Sequence, residues 1–277
     1  MAENSENRIM NKDFKLKDSY EIGDLLEIMR ILRSPRGCPW DREQTHKSIR
    51  HNFLEETYEV LEAIDNSDPE LLKEELGDVL LQVVFHARME EESGGFSFSD
   101  VADGICKKLI VRHPHVFGGI TVENSAEVLN NWDKIKLKTK GISSQSEAMA
   151  NIPHIYPALM KSQKVQEKAK KAGFDWDSAD GAFDKIIEER EELKEALLSG
   201  DEGKIQDELG DLLFAVVNVA RFCRQDAETA LSRATDKFIS RFSKVEHLAL
   251  EQGLSLKSLS LQEMDKLWEQ AKKVHNK

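Results

Sequence analysis

The chain carries two copies of one unit, and this repetition restricts its fold more than any other feature. Residues 55–88 (EETYEVLEAIDNSDPELLKEELGDVLLQVVFHAR) align without a gap with residues 188–221 (EEREELKEALLSGDEGKIQDELGDLLFAVVNVAR), and about 15 of the 34 positions are identical. Further landmarks recur in the same order. Residues 37–41 (GCPWD) answer 173–177 (GFDWD), Lys108 and Arg112 answer Lys237 and Arg241, and Trp132 with Lys136 answers Trp268 with Lys272. Spacings between landmarks drift as loop lengths do. Each unit therefore runs to roughly 110–130 residues, which suits a chain of 277 that exceeds the usual single-domain size of about 100–200.

Hydrophobic period identifies the elements as helices. Leu54, Tyr58 and Leu61 fall at i, i+4, i+7, as do Leu76, Leu80 and Val83. Ala227, Leu231, Ala234, Phe238, Phe242 and Val245 form a longer stripe of the same period. Ser99 and Asp226 read as helix N-caps, and Ser260 with Glu263 as a capping box. Residues 66–69 and 199–201 break the chain between the two acidic helices of each unit. Strand signals are nearly absent, so the expectation is an all-α protein of two tandem bundles, each of about four to five helices. The Gly/Ser/Lys-rich composition near residues 137–147 marks a linker, giving an N-terminal unit at 1–136, a linker at 137–151 and a C-terminal unit at 152–277.

A net charge of −12 argues against binding to nucleic acid or anionic membranes, which need basic surface to release counterions. The first 20 residues are polar and lack the apolar core of a secretory signal. The most apolar stretches are too short to span a bilayer, which takes about 20 residues. Three widely spaced cysteines with no CxxC pair signal neither a disulfide framework nor a zinc site. A cytoplasmic protein is expected.

The repeated chemistry is an acidic quartet. The pattern E-E-x-x-E, followed by E-x-x-D after fifteen residues, gives Glu56, Glu59, Glu75 and Asp78 in the first unit, and Glu189, Glu192, Glu208 and Asp211 in the second. Residues three apart share a helix face, and a short turn makes the two helices neighbours, so four carboxylates can meet. Acidic positions coincide between the copies while Thr57 faces Arg190 and Tyr58 faces Glu191, a constraint that a merely solvated glutamate face would not impose. Carboxylates brought together at the edge of an apolar segment need a balancing cation, and all-oxygen ligands suit a hard one: Mg²⁺, with Mn²⁺ as the alternative. A di-iron bundle would show Glu-x-x-His where this chain has aspartate.

Lys108 with Arg112, and Lys237 with Arg241, lie four apart on one helix face and can hold phosphate oxygens; Trp132 and Trp268 can stack on a base. Trp40 and Trp176 are assigned to packing. His86 reads as a core histidine, and the Arg112-His113-Pro114-His115 run as a loop. There is no glycine cradle for phosphate, so metals would hold a nucleotide.

These motifs, with the HPHVFG segment and the second copy, resemble the MazG family of nucleoside triphosphate pyrophosphohydrolases over about residues 25–272. The resemblance implies the all-α NTP pyrophosphatase fold, a homodimer, and Mg²⁺ on both quartets. It also implies nucleotide contacts at Lys185, Glu188, Lys204, Asp207, Lys237, Arg241 and Trp268, with Lys108, Arg112 and Trp132 as first-unit counterparts. Hydrolysis to monophosphate and pyrophosphate would use Glu188 or Glu189 to activate water. The resemblance also implies that the C-terminal unit is the competent one and the N-terminal unit regulatory or weakly active; the first unit departs from the pattern with Asn52 where the second has Lys185. The rival expectations are a non-catalytic nucleotide- or partner-binding helical dimer, and a narrower pyrophosphohydrolase of dUTP or phosphoribosyl-ATP.

Overall fold

The computed structural model describes residues 14–274, and every regular element among them is helical. Residues 1–13, part of the stretch read for a secretory signal, lie outside the described residues. The chain divides into two compact units, residues 1–132 and 133–277.

The first unit contains α1 (Ile22–Leu32), α2 (Pro39–Glu43), α3 (Arg50–Asp65), α4 (Pro69–Glu92), α5 (Phe98–Arg112) and α6 (Pro114–Phe117), and α7 (Ser125–Thr139) begins in it. Its centre is the α3–α4 hairpin, with α1 and α5 packed on α4. Asp68 starts α4 by accepting the Glu70 and Leu71 N–H groups, a cap that contributes about 1 kcal/mol. The core gathers Met29, Ile49, Val84, Phe85 and Met89. Burying a side chain such as Phe85 contributes about 1.5–3 kcal/mol. Phe98 packs against this cluster as the first residue of α5. The helix accordingly starts two residues earlier than expected: Ser97, not Ser99, is the cap, in a reciprocal box with Asp100.

The second unit continues with α8 (Gln145–Ala150), α9 (Ala158–Lys171), α10 (Ala179–Ser199), α11 (Glu202–Phe222), α12 (Ala227–Glu251) and α13 (Leu261–Val274). The α10–α11 hairpin repeats α3–α4, α9 lies against α11 and α12, and α13 folds back on α12. The last pair closes over Val245, Ala249, Leu267 and Ala271. The caps expected at Asp226 and at Ser260 with Glu263 are present.

The segment expected as a linker is partly helical. Residues 137–139 finish α7, and Ser144 accepts the Glu147 N–H to start α8, which buries Ala148. A capped turn with one apolar anchor is hidden by polar composition.

Sequence period located the apolar stripes but not their cover. Leu54, Tyr58, Leu61, Leu76 and Leu80 stay exposed in the single chain, Tyr58 by 53%. In the second unit Phe183, Ile187, Leu209 and Leu213 are exposed on the equivalent hairpin. No helix among the described residues is long and apolar enough to cross a membrane.

Candidate metal and phosphate site

The second unit shows how a local turn assembles a distant cluster. Gly200 ends α10 in the left-handed region, at φ 70°, which a residue without Cβ adopts freely. Asp201 then accepts the Gly203 and Lys204 N–H groups and starts α11. The resulting hairpin folds Glu208 and Asp211 back beside α10. Glu189, Glu208 and Asp211 each offer a carboxylate oxygen, all within 4.8 Å of one another. Opposite oxygens of an octahedral Mg²⁺ shell lie about 4.2 Å apart, so this donor set fits such an ion after a small adjustment. Glu189 is 4% exposed.

Lys185 accompanies the cluster. Its Nζ lies 2.6 Å from Glu189 Oε1 and 2.9 Å from Glu188 Oε1. Hydrogen bonds to Glu189 and then Glu188 raise its pKa above the ordinary lysine value. Glu192 lies outside the triplet, and its carboxyl is raised by burial, then by the charges of Glu189 and Glu208.

In the first unit Glu56, Glu75 and Asp78 form the same triplet within 4.8 Å. Burial raises the Glu56 carboxyl, with the Asp78 and Glu59 charges adding to it, while a hydrogen bond from Gln82 acts the other way. Burial also raises Glu75, helped by the charge of Glu59 and a hydrogen bond shared with it. Gln82 is buried, and its Oε1 has no partner. One turn on, His86 has a hydrogen-bond partner, as a satisfied core histidine does: its Nδ1 lies 2.7 Å from His46 Nδ1, and His46 Nε2 lies 2.9 Å from Glu90.

The remaining expected contacts lie elsewhere. Lys204 and Asp207 are exposed at the start of α11, and among the described residues neither pairs with the cluster. Lys237 is exposed on α12; Arg241 has a buried Nε without a partner, and neither reaches the cluster by a hydrogen bond or ion pair. Trp268 packs against Phe238, with ring centroids 5.1 Å apart, and joins the α12–α13 core. Its first-unit counterpart Trp132 has the Arg112 guanidinium 5.3 Å above its ring and His113 edge-on at 4.8 Å, while Lys108 is exposed.

Sequence reasoning missed a cavity of about 520 Å³ in the second unit. Phe214, three residues beyond Asp211 on α11, lines it with Trp176, Gln166 and Asn218. Gln166 is 5% exposed and donates through Nε2 to the Phe214 carbonyl at 2.7 Å. Arg221 donates to Asn218 and forms a two-pronged pair with Asp175. Trp176, assigned to packing, borders this cavity and covers Gly181, where an added Cβ would meet its ring at 2.5 Å.

The MazG nucleotide pyrophosphohydrolase domain matches the chain twice, at residues 44–117 and 179–246. The chain is 46% identical over 249 residues to the nucleoside triphosphate pyrophosphohydrolase/pyrophosphatase MazG of Thermotoga maritima, covering 90% of this chain and 94% of that one. It is 45% identical over 258 residues to the nucleoside triphosphate pyrophosphohydrolase of Escherichia coli K12, covering 91% and 97% respectively. A similar match, 45% over 259 residues, is to the uncharacterized protein YabN of Bacillus subtilis, and it spans 53% of that longer protein.

Proposed function

The chain belongs to the MazG family and is a nucleoside triphosphate pyrophosphohydrolase, and from that premise we propose that its second acidic cluster is the competent site. The observation that carries this reading is the convergence of Glu189, Glu208 and Asp211, with Lys185 already bound to Glu189. The family's hydrolases are metal-dependent, and these residues, with Glu192 beside them, would hold Mg²⁺ or Mn²⁺. A metal held there would supply charge neutralisation for the carboxylates and phosphate oxygens and Lewis-acid polarisation of the phosphoryl group.

Water attacks the α-phosphorus, the bond to the bridging oxygen breaks, and pyrophosphate leaves with that electron pair. Glu188 is exposed and hydrogen-bonded to Lys185, a position from which it orients the water and takes its proton. Lys185 then turns from the glutamates to a phosphate oxygen. The cavity bordered by Phe214 and Trp176 receives the base, since Trp268 is already packed against Phe238.

A second copy of the chain completes the site. Each acidic hairpin carries its own exposed apolar row that water does not favour, and a homodimer would cover such rows. It would also let Lys237 and Arg241 of one copy reach phosphate held by the other. We assign the enzyme to the cytoplasm, where its three free cysteines stay reduced. Incubation with ATP and Mg²⁺ tests the reading: AMP and pyrophosphate are expected, whereas orthophosphate as product contradicts it. Sedimentation equilibrium reads the dimer, and a stable monomer at micromolar concentration removes it.

A further inference from the structure

The second unit holds a cluster of opposite sign to the acidic site. Lys136 and Lys140 are four apart at the end of α7, and Lys164, Lys168 and Lys171 fall at i, i+4, i+7 along α9. All five line one cavity of about 340 Å³, together with Tyr156 and the buried Ile152. Asp133 and Glu167 are the acidic lining residues, and Asp133 is paired with Lys171. Five lysines against two acids leave a charge of +3 around this space, in a chain whose total is −12.

Among the described residues, Lys140, Lys164 and Lys168 have no carboxylate partner; Lys164 instead stands 5.9 Å from the Tyr156 ring centroid. Ammonium groups sharing a cavity repel one another. At Lys140, Lys164 and Lys168 no acidic side chain among the described residues relieves it. The feature also lies outside the duplication. With Gly37 set against Gly173, the first-unit counterparts of Lys164, Lys168 and Lys171 are Ile28, Leu32 and Pro35.

We propose that the α7–α9 cavity is a second anion site, which binds a condensed phosphate directly through lysine without a divalent cation. Lysine is a compact charge with three donors and suits phosphate oxygens. Two or three linked phosphoryl groups offer more charge and more acceptor oxygens to the five lysines than a single one does. Free pyrophosphate and the polyphosphate tail of a nucleotide share this chemistry. Either would report the state of the reaction through residues that the acidic cluster of the same unit does not use.

Calorimetric titration of the full-length protein in EDTA isolates this site, because chelation silences metal-dependent binding at the carboxylates. Pyrophosphate, tripolyphosphate and ATP are expected to bind, with AMP and orthophosphate at least about tenfold weaker. Equal affinity for pyrophosphate and ATP shows that the phosphate chain is the determinant; binding of ATP without pyrophosphate overturns the proposal. The Lys164→Gln/Lys168→Gln variant should lose at least about tenfold in this affinity while keeping pyrophosphate release with Mg²⁺. The exposed Lys138, outside the cavity, supplies the control Lys138→Gln, which should bind as the parent does. Circular dichroism and thermal melting establish that the variants fold. Absence of binding in EDTA at millimolar pyrophosphate, or unchanged affinity in the double variant, overturns the proposal.

Discussion

Asn52 stands in the first unit where Lys185 stands in the second, and the surroundings of the two carboxylate triplets diverge from there. The triplets themselves share one geometry. In the second unit a lysine is hydrogen-bonded to the buried Glu189. In the first, Glu56 meets a neutral amide from Gln82, which the second unit replaces with Ala215, and Glu59 and Glu75 lean on each other through a shared hydrogen bond. Both copies bring three carboxylates together, but only the second has a lysine paired with one of them. The second triplet thus has a lysine bound to one of its carboxylates, and the first has an asparagine at the matching position.

The sharpest way to break this comparison is to remove ligands one unit at a time. Glu189→Ala or Asp211→Ala should lower pyrophosphate release by about 10³-fold or more, and Glu56→Ala or Asp78→Ala by less than about twofold. Equal losses from both units would erase the distinction. Exchange of the accompanying residue sharpens it: Lys185→Asn should reduce kcat/KM by about 10- to 100-fold, the worth of a charge-assisted hydrogen bond of about 1.5–3 kcal/mol. In the Glu189→Ala background, Asn52→Lys should raise the residual turnover; no gain would mean that the first unit lacks more than a cation.

The Asp175–Arg221 pair is also confined to the second unit, because Pro39 stands at the first-unit position of Asp175 and Arg88 turns to Glu91 and Glu92. Burial acts to raise the Asp175 carboxyl, but the Arg221 hydrogen bonds and charge, with Lys170 at 3.6 Å, outweigh it and hold it below the usual range. A pKa lower in the folded state than in the unfolded one stabilises above the unfolded value, about 3.9, and that stability is lost as pH falls through the folded value. Asp175→Asn should therefore destabilise the second unit by about 1–3 kcal/mol at pH 7, with the difference from the parent shrinking below pH 4 in denaturant titrations.

The smallest effect concerns the hairpin turns. Ser67 occupies the position of Gly200 and takes the same left-handed backbone, at φ 54°. Ser67→Gly should stabilise the first unit by up to about 1 kcal/mol, and Gly200→Ser should destabilise the second by a similar amount, both read from thermal melting.

By itself the sequence determined the helical class, the duplication, the two hairpins and the carboxylates that meet across them. These depend on local rules: a 3.6-residue period, acids three apart on one face, and a turn short enough to leave one way back. Tertiary structure decided what those rules do not encode. The period marks Leu54, Tyr58 and Leu61 as one apolar row but does not say what covers it, and in the single chain the row remains exposed. Trp268 packs on Phe238 and Trp132 on Arg112 because each indole takes whatever its neighbouring helix presents. The cavity beneath Phe214 and the lysine walls of α7 and α9 arise where segments distant in sequence pack together. A side chain's own helix sets its direction, but the space in front of it is set by another part of the chain.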